Sequence, residues 1–251
     1  MSRIEDVLRA RLAQGSPISM VTCYDAGFSG LCQEAKIDLL LVGDSLANVV
    51  LGYSRTAEIG MPEMLHHTAA VRRGSSEAVV VADMPFGADV TPELALENGL
   101  ALQRAGADAV KLEGGKFEAV RALVSRGVPV MGHLGLLPQT ATSLKQTGRD
   151  AAEAKQILSD AKDLEAAGAC SLVLEHVPSA LAAEVTAALS IATIGIGAGP
   201  HCSGQVLVLH DMLGLTARRP PFVRAFADLR SQVLKGLTDY DQAVKDHSFP
   251  A

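Results

Sequence analysis

Cysteine, basic clusters and long apolar runs are what this sequence has little of. Its four cysteines, Cys23, Cys32, Cys170 and Cys202, are scattered and no two stand in C-x-x-C spacing, which gives no sign of a thiol-ligated zinc site or a dithiol redox motif. They read as free thiols. Lysine and arginine gather no further than pairs such as Arg72 with Arg73 and Arg218 with Arg219, and the formal net charge is −6, so a sequence-independent nucleic-acid surface is not expected. No stretch reaches the roughly 20 uninterrupted apolar residues of a membrane-spanning helix. The segment Met1 to Val7 carries acidic residues and lacks the apolar core of an export signal. Together with reduced thiols this points to the cytoplasm, with no membrane or nucleic-acid partner. Ser/Gly linkers, low-complexity tracts and short internal repeats are missing as well, so the 251 residues read as one domain, 1–251.

What is present is a core-building composition, 48% hydrophobic and 20% charged, which excludes wholesale disorder. Short apolar, β-branched runs alternate with longer alanine- and leucine-rich segments. Eight such runs are predicted as strands: Ile18 to Cys23, Ile37 to Gly43, Ala78 to Asp83, Ala109 to Glu113, Val128 to Gly132, Ser171 to Glu175, Thr193 to Gly197 and Val206 to His210. Their near-continuous hydrophobicity indicates strands covered on both faces. The intervening segments carry helix punctuation. Thr91-Pro92-Glu93 opens a helix that Gly106 stops, Met61-Pro62-Glu63 opens one that closes at Gly74, and Asp150 with Glu153 resembles a capping box before a helix ending at Gly168. Phe222 to Lys235 and Asp239 to Asp246 are predicted as helices after the last strand. Eight βα units in order predict an α/β fold of the closed (β/α)8 TIM-barrel type rather than an open doubly wound sheet.

In such a barrel the active site lies at the C-terminal ends of the strands. Polar residues recur there: Asp44 and Ser45 after strand two, Asp83 ending strand three, Lys111 and Glu113 in strand four, His133 after strand five, and Glu175 with His176 at the end of strand six. Asp44, Asp83 and Glu113 come from consecutive strands and converge on one side of the mouth. Crowded carboxylates repel one another unless a cation or proton intervenes, and oxygen-only ligands favour Mg²⁺. Each acid alone could equally cap a helix or a loop. Lys111 and Glu113, two apart on a strand, share a face and form either a functional pair or an internal salt bridge. His133 reads as a donor to a substrate oxygen or as a structural histidine. Glu175, closing an apolar strand, suits a general base, whereas His176 points to the other side. The run Ile194 to Pro200, rich in glycine, either binds phosphate through backbone N–H groups or permits close packing.

At these residues the sequence resembles the ketopantoate hydroxymethyltransferase family, within the phosphoenolpyruvate mutase and isocitrate lyase superfamily of barrels. The resemblance runs through Leu41-Val42-Gly43-Asp44-Ser45-Leu46, His67 to Gly74, Val81 to Phe86, Val110 to Gly115, Gly132 to Leu136, Leu172 to Glu175 and Ile194 to Gly199. It implies a metal site at Asp44, Asp83 and Glu113, an oxo-acid site at Asp44, Ser45, Asp83 and Lys111 with His133 as a further contact, and Glu175 as general base. It also implies transfer of a hydroxymethyl group from 5,10-methylenetetrahydrofolate to 3-methyl-2-oxobutanoate, giving 2-dehydropantoate through a Mg-stabilised enolate, by a homo-oligomer. Three loops depart from the family pattern: Ala57 to Gly60, Gly87 to Val90, and Thr140 to Arg149, which is shorter than usual. These departures bear on substrate choice and folate contacts. Competing expectations are a related carbon–carbon lyase or mutase acting on another 2-oxo acid, a Schiff-base aldolase using Lys111, and a non-catalytic ligand-binding barrel.

Overall fold

The computed structural model describes residues 2–143 and 145–250. Met1, Leu144 and Ala251, which fall in the N-terminal segment, in the Thr140 to Arg149 stretch and at the chain end, lie outside the described residues. Eight parallel strands close on themselves in sequence order: β1 Ile18–Thr22, β2 Leu39–Val42, β3 Val79–Asp83, β4 Ala109–Glu113, β5 Val130–Gly135, β6 Ser171–Glu175, β7 Ala192–Ile196 and β8 Gly204–Leu207. The predicted (β/α)8 barrel is therefore the observed one. The chain forms two compact units, Met1–Val206 and Leu207–Ala251.

In the first unit the barrel is preceded by α1 (Arg3–Ala13). Helices α2 (Ala26–Glu34), α3 (Leu46–Val49), α4 (Met61–Gly74), α5 (Pro92–Ala105), α6 (Phe117–Ser125), α7 (Ala151–Ala166) and α8 (Ser179–Ala188) alternate with the strands. The helix signals hold at residue level. The Thr91 side chain accepts from Leu94 N, Pro92 occupies the first turn, and Gly106 ends α5 with φ of 116°. Asp150 caps α7 by accepting from Ala152 N and Glu153 N, but the reciprocal half of the capping box is absent. Glu153 Oε2 instead accepts from Gly148 N at 2.9 Å, drawing the preceding loop onto the helix.

The interior follows strand parity, since every second side chain points inward. Ile18, Met20, Leu39, Leu41, Val79, Val81, Ala109, Met131, Val173, Ala192, Ile194 and Val206 form one buried cluster, which Ile4 and Leu8 of α1 join. Burying side chains of this size contributes about 1.5–3 kcal/mol each. Continuing the same parity toward the C-terminal ends, Asp83 follows Val81, Lys111 and Glu113 follow Ala109, His133 follows Met131, and Glu175 follows Val173. The barrel interior is thus apolar below and ionisable above, all on one inward face.

Two predicted boundaries need correction. Strand five reaches Gly135, so His133 lies within it, paired across to Glu113. Glycines at 132 and 135 suggested an earlier end to a strand that continues through them. Strand eight lies at Gly204–Leu207 instead of Val206 to His210, with Gly204 and Gln205 pairing to Ile194 and Gly195. Its first two residues lack the apolar character by which the run was recognised.

In the second unit, α9 (Leu209–Met212) takes in His210, and α10 spans Leu229–Lys245. The two helices predicted over 222–246 are one. Pro220 and Pro221 precede a non-helical stretch, and the Asp228 side chain caps the helix by accepting from Ser231 N. Lys235 and Asp239 pair across the expected break, and Lys245 with Asp241 at 2.7 Å adds another i,i+4 pair. No described helix is long and apolar enough to cross a membrane.

Candidate active site

Strand pairing places the ionisable side chains. In the barrel register Asp83 stands beside Lys111 and Glu113 beside His133. Lys111 Nζ is 2.6 Å from Asp83 Oδ1, and both side chains are almost wholly buried. His133 Nδ1 is 3.5 Å from Glu113 Oε1 and 3.4 Å from Lys111 Nζ, while its Nε2 is 3.2 Å from Glu175 Oε2. Asp44, just beyond β2, donates its backbone N–H to Asp83 Oδ2 at 2.9 Å. The structure therefore brings Asp44, Asp83, Lys111, Glu113, His133 and Glu175 into one connected group.

Ser45 joins it at the edge, its Oγ 2.9 Å from Tyr24 Oη. His176 does not. It follows the strand with φ of 48°, and its backbone joins neighbouring chain segments, accepting from Thr147 N and donating to Ile196 O.

Burial and charge set the protonation states. Burial and the Asp83 carboxylate push Asp44 up to about 7, outweighing the opposing effects of Lys111 and of the Gln139 hydrogen bond. Burial works against the Lys111 cation, but the surrounding carboxylates, Asp83 foremost, win and hold its pKa above the ordinary lysine value. Burial and Lys111 likewise oppose the His133 cation, yet the close Glu113 and Glu175 carboxylates raise it to about 9. Burial pushes Glu113 up, and the hydrogen bond and charge of His133 more than reverse this, leaving it lowered. These influences favour the charged forms of Lys111 and His133. The ion pair with Asp83 favours the ammonium form of Lys111, which is not the nucleophilic form a Schiff-base aldolase would use.

Among the described residues no three His, Cys, Asp or Glu side chains stand ready-made as a metal cluster. The reason is visible in the partners. Lys111 holds Asp83 and His133 holds Glu113. Gln139 donates from Nε2 to Asp44 Oδ2 at 2.8 Å. Asp44 is the member of the predicted metal triad whose partner is neutral, and it makes no ion pair with a described residue.

Two contributors escaped the sequence reading. Gln139 follows Pro138, four residues beyond strand five, where the strand-end rule does not reach. Tyr24 stands two residues beyond strand one, outside the ends of strands two to six where the polar residues recur. His67 of α4 fixes it, with Nδ1 2.7 Å from the Tyr24 carbonyl oxygen. Searching every strand end would have found Tyr24.

Glu175 occupies a different setting from the apolar one expected. Its side chain keeps 19% of its surface exposed, and its carboxylate faces a cation. The close approach of β5 and β6 here depends on Gly135, with φ of 97°, where a Cβ would come within 2.2 Å of the Glu175 carbonyl oxygen. The glycine-rich run after β7 favours the packing reading, since a Cβ on Gly199 would meet Ser179 Oγ at 2.3 Å.

Comparison with known proteins gives a consistent result. The chain matches the family described as ketopantoate hydroxymethyltransferase over residues 3–251. It is 51% identical to the 3-methyl-2-oxobutanoate hydroxymethyltransferase of Aromatoleum aromaticum, over 95% of this chain and 91% of that protein. It is 47% identical to the enzyme of the same name from Ignicoccus hospitalis, over 98% and 96%. Among solved structures, 2,3-dimethylmalate lyase, a member of the PEP mutase/isocitrate lyase superfamily, superposes with a TM-score of 0.64 at 16% identity, covering 98% of this chain and 89% of that one. Phosphonopyruvate hydrolase in complex with oxalate and Mg²⁺ gives 0.67 at 12% identity, covering 98% and 88%. These structural likenesses establish the shared barrel.

Proposed function

The chain belongs to the ketopantoate hydroxymethyltransferase family, and from that premise we propose that it transfers a hydroxymethyl group to 3-methyl-2-oxobutanoate, with 5,10-methylenetetrahydrofolate as the one-carbon donor and 2-dehydropantoate as product, in pantothenate biosynthesis. The observation that carries this reading is the ionisable layer on the inner face of β3 to β6, with Asp44 at its edge. Carbon–carbon bond formation at C3 of a 2-oxo acid needs a base for the C3 proton and positive charge near the oxygens that become electron-rich. Glu175 supplies the base. His133, with Nε2 3.2 Å from Glu175 Oε2, orients the carboxylate as it takes the C3 proton. Lys111 offers positive charge to the oxo-acid oxygens, and Ser45, fixed by Tyr24, offers a neutral hydrogen bond. The carbon freed of its proton then forms the new C–C bond to the one-carbon unit, whose C–N bonds to folate are broken with water supplying the hydroxyl oxygen, so that tetrahydrofolate leaves.

The cation this chemistry calls for is Mg²⁺, and the test of fit is charge and donor type. Asp44, Asp83, Glu113 and Glu175 face Lys111 and His133, which leaves an excess of two negative charges when all are ionised. A divalent ion balances that excess, and the donors are all oxygens. Asp44 would hold it most directly, with Asp83 and Glu113 beside it. When bound, the ion supplies Lewis acidity toward the carbonyl of the oxo acid.

The segment Thr140 to Arg149 is assigned to the folate side of the site. Its far end is fixed by Thr147 N donating to His176 O at 3.1 Å and by the bond from Gly148 N to Glu153. A cytoplasmic homo-oligomer completes the proposal, supported by a row of exposed apolar side chains on α10, Val233, Leu237, Tyr240 and Val244. The deciding experiment is a product assay by mass spectrometry with several 2-oxo acids and methylenetetrahydrofolate, with and without Mg²⁺. Mg²⁺-dependent 2-dehydropantoate from 3-methyl-2-oxobutanoate is expected. Cleavage of another oxo acid in its place would favour a lyase.

A further inference from the structure

Gln139 lies four residues beyond β5 and is only 6% exposed. Its side-chain nitrogen donates to Asp44 Oδ2 at 2.8 Å and to the Met84 carbonyl oxygen at 2.9 Å. Its backbone N–H donates to Glu113 Oε2 at 3.2 Å. Asp44 follows β2, Met84 follows β3, and Glu113 ends β4, so one residue arriving from β5 ties together the ends of three other strands.

The chemistry of the amide makes this more than a packing contact. Both hydrogens of Nε2 are engaged, each on an oxygen acceptor, so the orientation is fixed. Turned over, the amide would set its own oxygen against a carboxylate and a carbonyl. The donor is also neutral. A lysine or arginine here would hold Asp44 equally well but would cancel its charge, as Lys111 does for Asp83. A carboxylate fixed by an uncharged donor keeps its attraction for a cation while losing the freedom to rotate away.

We infer that Gln139 is a positioning residue for cation binding: its side-chain amide fixes the Asp44 carboxylate, and its backbone N–H the Glu113 carboxylate, in the arrangement that receives the divalent ion. The inference rests on the proposed metal-dependent reaction and deepens it by naming what sets the affinity. Groups that orient metal ligands are typically worth 10- to 100-fold in affinity. Gln139 is also the residue from which the Thr140 to Arg149 loop departs, so the root of that loop is anchored on the acids themselves.

The test uses Mn²⁺ as probe, with binding to the full-length protein followed by electron paramagnetic resonance in the presence of 3-methyl-2-oxobutanoate. Gln139→Met keeps the length of the side chain, removes the amide and retains the backbone N–H. We expect a Mn²⁺ Kd weakened about 10-fold or more, an altered spectrum of the bound ion, and a variant that still folds without metal, its melting temperature lowered by no more than the loss of the two buried hydrogen bonds accounts for. Saturating metal should restore kcat to within about 3-fold while the metal requirement stays high, the pattern of lost binding rather than lost chemistry. Gln139→Asn, which keeps the amide but falls one methylene short, should lose affinity in the same way and serves if the Met variant does not fold. A folded variant with a Mn²⁺ Kd within 2-fold of the parent overturns the inference alone. Failure of the parent protein to bind Mn²⁺ with the oxo acid overturns the metal-dependent reading beneath it.

Discussion

The imidazole of His133 lies between two carboxylates, Nε2 at 3.2 Å from Glu175 Oε2 and Nδ1 at 3.5 Å from Glu113 Oε1. The contact with Glu175 joins the residue read as the base to the inner face of the next strand, and through it to the acids of β4. A doubly protonated ring can serve both carboxylates at once, whereas a neutral ring can serve only one. The charge state of His133 therefore bears on both carboxylates together, Glu175 of β6 and Glu113 of β4.

This coupling has a pH signature. His133 is raised to about 9 in the folded protein, from an ordinary value of 6.5. A group raised on folding gives stability that is fully present below its unfolded value and lost as the pH rises through its folded value. In metal-free protein the stability advantage over His133→Gln should be complete near pH 6 and shrink progressively toward pH 10. Thermal melts of both proteins across that range measure it. A gap that stays constant across that range would contradict the assigned imidazolium.

The ion pair of Lys111 with Asp83 predicts a different response. Replacing one partner of a buried pair leaves the other charge uncompensated and costs about 3–5 kcal/mol. Lys111→Met should be destabilised by that order in urea denaturation without metal, and adding Asp83→Asn should recover part of the loss. A double variant no more stable than the single one would mean that Lys111 contributes through packing alone.

Gly135 offers a test of backbone geometry. Alanine there meets the Glu175 carbonyl oxygen and must adopt φ near 97°, a conformation costly for residues other than glycine. Gly135→Ala should lose about 1–3 kcal/mol of stability and should lower kcat more than it alters the KM for the oxo acid, because the strain falls against the backbone of Glu175, the proposed base. Steady-state kinetics with unchanged kcat would show that Glu175 tolerates displacement.

Much of this was legible in the sequence. Strands 109–113 and 171–175 lie where their apolar runs predicted, because a strand buried on both faces leaves a compact signal. Asp83, Lys111, Glu113 and Glu175 could be placed because strand parity and the strand-end rule act locally. Gln139 could not, because its role arises where a loop from β5 meets the ends of β2, β3 and β4, and no spacing in the chain records that convergence. The pairing of His133 with Glu175 was hidden for a related reason: it depends on strand five continuing through two glycines, which read as its end. The single helix α10 was missed because Gly236, a weak helix former, stands between the two predicted segments, and the pairing of Lys235 with Asp239 that spans the gap forms only in the helix.

The central claim is that a carboxylate on β6 takes the C3 proton while Asp44 and its neighbours hold the cation. Glu175→Gln separates the two, since it keeps the size and part of the hydrogen bonding but cannot act as a carboxylate base. Exchange of the C3 proton of 3-methyl-2-oxobutanoate with solvent deuterium, followed by proton NMR with Mg²⁺ and without folate, reports that step alone. We predict that the variant still binds Mg²⁺ and the oxo acid but exchanges about 10² to 10⁴ times more slowly. Exchange at the parent rate in a folded Glu175→Gln protein would contradict this assignment and remove Glu175 from the proton transfer.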